Sequence, residues 1–152
     1  MTNKNIVETI SLPFAEITKD EKGIFRVHYL EGSTIDIPEK KELSRAYQEI
    51  TKGEKSLFIL KAQNHVSFTK EAKEYSIRIE SKQPFLAVAL VAHNLAYQLI
   101  ADFYFKFYKP KVTLKVFKTE EKAVEWLLQY RDDFNSGTIS ERGSKKLSLF
   151  NF

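Results

Sequence analysis

Between Ser56 and Tyr130 three short apolar runs each feed a helix-like segment, and this rhythm limits the chain to a small set of architectures. Ser56-Leu-Phe-Ile-Leu-Lys-Ala62, Leu86-Ala-Val-Ala-Leu-Val-Ala92 and Val112-Thr-Leu-Lys-Val-Phe117 read as strands. The first two are apolar enough to be buried on both faces of a parallel sheet. Each connection between them is long enough for a helical crossover, which predicts that the three strands run parallel. The rhythm identifies an architecture rather than a reaction.

Upstream, Ile10 to Ile17 and Ile24 to Leu30 flank the polar stretch Lys19-Asp-Glu-Lys-Gly23, which predicts one antiparallel hairpin. In the second of these strands Phe25, Val27 and Tyr29 share one face, whereas Ile24, Arg26 and His28 share the other, wetter face. The sum is an α/β fold: a mixed sheet of about five strands, with the hairpin forming one side of it, and about four helices.

The helices carry their own punctuation. One starts near Asp36 or Ile37 with Pro38 in its first turn, carries Leu43, Ala46, Tyr47 and Ile50 on one stripe, and ends near Gly53. A second begins near Ser67 or Thr69, with Phe68, Ala72, Tyr75 and Ile79 on one side, and Pro84 closes the crossover. A third runs from an Asn94 cap to about Tyr108, where Lys109-Pro110 stops it. Its core side holds Leu95, Leu99, Phe103 and Phe107, and its second side, with Tyr97, Ile100 and Tyr104, is apolar as well. That spare face predicts an interface, with a second subunit in a homodimer or with the C-terminal tail. The last helix follows a Thr119 cap, with Glu120 and Glu121 in the dipole-favoured first turn and Trp126 and Leu127 packing on the sheet. Residues 1–134 therefore read as a single domain. Residues 135–152 read as a polar linker followed by the apolar tail Leu147 to Phe152.

The chain has no cysteine, so disulfides, thiolate metal sites and cysteine nucleophiles are excluded, and a cytoplasmic location is expected. No apolar stretch approaches the ~20 residues of a membrane span. A net charge of +4 arises from interleaved Lys, Arg, Asp and Glu, which weakly favours anionic partners. No Gly-x-Gly-x-x-Gly, Walker loop, His-Glu-x-x-His or Gly-x-Ser-x-Gly element occurs, and His28, His65 and His93 match no compact ligand spacing. The pairs Asp20-Glu21, Glu120-Glu121 and Asp132-Asp133 fall in a turn, a helix start and a helix end, where solvation and helix dipoles account for them. No enzyme, metal or cofactor is expected. Tyr104-Phe-Lys-Phe-Tyr-Lys-Pro-Lys111 interleaves aromatics with cations, but a helix scatters them around its axis, so nucleic acid is not an expected partner.

In open parallel sheets, ligands favour the carboxyl ends of the strands. Asn64 and His65, His93 and Asn94, and Lys118 and Thr119 fall there, beside helix N-termini, as candidate ligands of a small anion or polar headgroup.

As a whole, the hairpin, the helix and the three strand-helix units resemble the SpoIIAA-like, or STAS, fold over roughly Ile10 to Tyr130. The pattern Lys109-Pro110, Val112 to Phe117, Thr119-Glu120-Glu121 and Ala123-Val-Glu-Trp126-Leu127 is similar to the endings of small uncharacterised bacterial STAS-like proteins. In anti-anti-sigma members of that family, a phosphorylatable serine opens the helix after the central strand. Here the stretch is His65-Val-Ser67-Phe-Thr69-Lys-Glu-Ala72; Lys70 stands about where that serine would fall, and the Asp-Ser-Ser-Gly pattern is absent. Ser67 and Thr69 are the hydroxyls left as phospho-acceptors, and the helix-cap role is the preferred reading for them. The resemblance implies a non-enzymatic interaction or regulatory module. The fold's similarity to lipid-binding CRAL-TRIO domains implies the alternative, a carrier of a small anion or lipid, with its site at the carboxyl ends of the parallel strands or in an apolar cavity beside the aromatic third helix.

Overall fold

A computed structural model describes residues 5–62, 64–94, 106 and 108–139. Strands β1 (Ile6–Leu12), β2 (Ala15–Asp20), β3 (Ile24–Tyr29), β5 (Ser56–Ala62), β7 (Phe85–Val91) and β8 (Leu114–Phe117) form one six-stranded sheet in the order β1-β2-β3-β5-β7-β8. The first two ladders are antiparallel and the remaining three are parallel; β5, β7 and β8 run parallel to one another as the crossover lengths predict. Two dipeptide strands, β4 (Thr34–Ile35) and β6 (Ser67–Phe68), pair parallel in a separate ribbon.

The strand count corrects the expectation of about five. Ile10 to Ile17 is not one strand but parts of two, folded back at Pro13-Phe14 so that Leu12 faces Ala15. Neither turn residue has positive φ, and the turn has none of the Asn-Gly or Asp-Gly chemistry by which hairpins are recognised. It is held instead by packing: Phe14 is buried, and its carbonyl accepts from the Leu30 N–H at 2.9 Å.

Three α-helices are described in full: α1 (Ile37–Thr51), α2 (Lys70–Ile79) and α3 (Glu120–Asn135). The expected fourth, from Asn94 to about Tyr108, falls almost entirely outside the described residues, together with Tyr97, Ile100, Tyr104 and the tail. Helix α1 starts as the sequence predicts. The Asp36 carboxylate accepts from Ile37 N–H at 2.8 Å, the Glu39 carboxylate accepts from Asp36 N–H at 2.9 Å, and Pro38 stands in the first turn. It stops at Lys52 and Gly53, both left-handed.

The two faces of the sheet carry separate cores. On one, Leu43, Ala46, Tyr47 and Ile50 of α1 pack over Ile17, Phe25, Val27, Tyr29, Phe58 and Val88. Phe58 is fully buried, with its ring 5.3 Å from that of Phe25, 5.2 Å from Tyr47 and 4.9 Å from Phe85. On the other, Ala123, Leu127 and Tyr130 of α3 cover Ile24, Leu57, Ile59, Ala87, Ala89 and Val91, with Trp126 at the margin. Packing continues beyond Phe134, because Ile139 is buried in this second core.

Candidate functional site

Strands β3, β5, β7 and β8 run the same way, so their carboxyl ends share one end of the sheet. Asn64 and His65 follow β5, His93 and Asn94 follow β7, and Lys118 and Thr119 follow β8. Since β5, β7 and β8 are neighbours, the structure brings the six predicted residues to that single end, and all six are exposed. Their local roles differ. His65 is left-handed at φ 64°, and the Asn64 carbonyl accepts from Gly32 N–H at 3.2 Å, fastening this turn to the loop after β3. Thr119 caps α3, its hydroxyl accepting from Lys122 N–H at 3.3 Å.

The hydroxyls weighed as phospho-acceptors lie at the β4–β6 ribbon. Ser67 is exposed, with its hydroxyl 3.5 Å from that of Thr34. Thr69 is half-buried and engaged twice: it accepts from Ala72 N–H at 3.0 Å as the cap of α2, and donates to the Asp36 carboxylate at 2.7 Å. One hydroxyl thus joins the caps of α1 and α2.

Above the α1 core lies a polar inclusion. The hydroxyls of Tyr29 and Tyr47 hydrogen-bond to each other; burial pushes Tyr29 up to about 12 and raises Tyr47 well above the usual phenol range. Lys40 continues the buried stripe of α1 one turn toward its start, with its ammonium 5.2 Å from the centre of the Phe68 ring. Burial lowers its pKa to about 8.

The strongest electrostatic feature lies under α3. Arg26 on β3 donates from Nε to Glu120 Oε2 at 2.8 Å and from a terminal nitrogen to Asp20 Oδ2 at 2.6 Å. Lys61 on β5 donates to the second Glu120 oxygen at 2.8 Å, and Asp20 Oδ1 accepts from the N–H groups of Lys22 and Ile24. Asp20, Arg26 and Glu120 are all buried. Burial alone would push the Glu120 carboxyl up, but the hydrogen bonds and charges of Lys61 and Arg26 prevail and hold it at about 2. Two cations and two anions neutralise one another over the sheet. This corrects the reading of Asp20 and Glu120 as solvated or dipole-related carboxylates. The signal available in the sequence was the wet face of β3, which Arg26 shares with Ile24 and His28 in an otherwise buried strand.

Among the described residues every buried side-chain nitrogen or oxygen has a partner, and no group of three or more His, Cys, Asp or Glu side chains is placed to hold a metal ion. A family model described as "Domain of unknown function (DUF7793)" matches residues 18–131, from β2 into α3. The chain belongs to the DUF7793 family. No curated protein matches its sequence. Among solved structures, the DUF7793 chain is similar to an uncharacterised protein of the DUF3478 family with a SpoIIAA-like fold, from Shewanella loihica PV-4. The TM-score is 0.52 at 10% identity, covering 84% of this chain and 97% of the other, and the likeness establishes the SpoIIAA-like fold. No helix among the described residues is long and apolar enough to cross a membrane.

Proposed function

We propose that this DUF7793 chain is a non-enzymatic, cytoplasmic interaction or regulatory module built on the SpoIIAA-like fold. The observation that supports it most is the mutual neutralisation of Asp20, Arg26, Glu120 and Lys61. The charges placed inside the domain fasten α3 to the sheet, and the Thr69 hydroxyl fastens one helix cap to another. What is left to act is surface. Native mass spectrometry of the full chain, purified gently from its own host, tests the reading: a stoichiometric protein partner or a homo-oligomer is expected. A bare monomer retaining a small molecule would replace it with the carrier reading.

The carrier reading has one observation in its favour, the collection of His65, His93, Asn94 and Lys118 at the ends of three adjacent parallel strands. It requires inorganic phosphate or a lipid phosphate headgroup to bind the full chain, and Lys118→Ala to weaken that binding without unfolding the domain. Equal affinities in the two proteins would remove Lys118 from such a site.

A further inference from the structure

The net positive charge of this chain is concentrated in one sequence segment. Between Asp102 and Glu120 the sequence carries Lys106, Lys109, Lys111, Lys115 and Lys118 and no carboxylate. These five charges exceed the net +4 of the whole chain, so all other residues together sum to −1. The run includes β8, the last strand of the sheet order.

Among the described residues, strand β8 also has backbone groups with no strand partner. Val88 N–H donates to Thr113 C=O at 2.8 Å and Ala92 N–H to Phe117 C=O at 2.9 Å, so Thr113, Lys115 and Phe117 direct their backbone groups toward β7. By the alternation of a strand, the N–H and C=O groups of Leu114 and Val116 point the other way, and among the described residues no strand pairs there. Lys111 and Lys118 are exposed on either side, and Lys115 holds its ammonium 5.6 Å from the centre of the Phe117 ring.

Edge lysines are a common defence against unwanted pairing. Here the defence is selective by sign. A second β8 would bring lysines against lysines. The chain's own residues 140–152 carry Arg142, Lys145 and Lys146 against Glu141 alone, the same sign as the edge. The opposite edge strand, β1, offers one carboxylate, Glu8, which stands opposite Lys19 in its own ladder. An acidic strand meets none of these objections. We propose that the free edge of β8 is a docking strand for an extended, acidic peptide segment of a partner protein, added by β-augmentation. Main-chain bonds to Leu114 and Val116 supply the seat and the lysines supply the selection. The favoured segment alternates Asp or Glu, set beside Lys115, with β-branched apolar residues set beside the half-buried Leu114 and Val116.

The inference rests on the interaction-module reading and names its partner's chemistry. Its test is selection of phage-displayed random octapeptides on the full chain, followed by fluorescence anisotropy with the selected peptides. The expected result is enrichment of alternating acidic and β-branched residues, and binding that weakens with added salt. Affinity should fall by at least about tenfold both in the charge-reversal variant Lys111→Glu/Lys115→Glu/Lys118→Glu and in Val116→Pro, which deletes an edge N–H. Peptides without acidic enrichment, no selectable peptide, or equal affinity for the wild type and the triple variant would overturn it. So would self-association in sedimentation that the triple variant abolishes, which would assign the edge to a second copy. A protein partner retained in native mass spectrometry with no peptide selected would leave the module reading standing and remove only this edge.

Discussion

The two faces of the sheet bury their side chains by different chemistry. Under α1 the contact is apolar and aromatic, centred on Phe58 with Phe25, Tyr47 and Phe85 around it, and the polar groups set into it include the Tyr29–Tyr47 pair, Thr51 and Lys40. Under α3 the apolar layer of Ala87, Ala89 and Leu127 gives way, toward β3, to four charges that bond one another. Aromatic packing is indifferent to pH and tolerant of small shifts. An ion network fixes one arrangement and depends on every member being ionised. The first face should therefore carry stability, and the second should carry the position of α3.

The largest expected effect is on the aromatic face. Phe58→Ala removes a fully buried ring with three ring neighbours and should cost roughly 3–5 kcal/mol. Urea denaturation should show the same loss at pH 5 and at pH 7, and a pH-dependent loss would break the comparison. Next, Arg26→Met leaves Asp20 and Glu120 buried without their shared cation, at a cost of about 3 kcal/mol near neutral pH. Unlike Phe58→Ala, this loss should shrink on acidification, as the stranded carboxylates take up protons.

The same network sets the acid limb of the wild type. The folded pKa of Glu120, about 2, lies below its unfolded value of 4.5, so its contribution is complete above about pH 4.5 and is lost as the pH falls toward 2. The loss should reach about 3 kcal/mol across that window, and Glu120→Gln should flatten it. An acid limb unchanged in that variant would show that other carboxylates control it. The smallest effects are at the helix caps and at Lys40. Thr69→Ala should cost about 1 kcal/mol through the lost cap of α2 and its bond to Asp36. Lys40→Met should gain about 1 kcal/mol at pH 7, because the apolar side chain suits the stripe better than a desolvated ammonium. A loss of stability there would place Lys40 in a polar contact and blur the distinction between the faces.

The parts of this fold that the sequence discloses are the local ones. Leu43, Ala46, Tyr47 and Ile50 repeat at helical spacing, Pro38 and Gly53 mark the ends, and all four side chains are buried as that spacing requires. The alternation in β3 correctly sends Phe25, Val27 and Tyr29 to one core and Ile24 to the other. The Pro13-Phe14 turn was hidden because it lacks a positive-φ residue, so Ile10 to Ile17 reads as one continuous strand. The charged inclusion was hidden for another reason. Arg26 and Glu120 are 94 residues apart, and no spacing rule links a carboxylate in a helix's first turn to an arginine in a distant strand. Position at the strand ends was legible for His65, His93 and Lys118 from connectivity alone, whereas the engagement of Thr69 with Asp36 needed the two helix starts to be seen side by side.

The distance in sequence between Arg26 and Glu120 also orders events at the ribosome. Strands β1 to β7 and helix α1 lie within the first 91 residues, so the aromatic core can close while the rest of the chain is still being made. Arg26 and Asp20 must wait for residue 120 to emerge, and closing so long a loop carries an entropic cost that only the docked helix returns. A chain without α3 would leave Ile24, Ile59 and Ala89 without the cover of that helix, together with an arginine lacking its glutamate. That half-covered sheet is the form most open to chaperones and to aggregation, and a released chain ending at Thr119 would populate it.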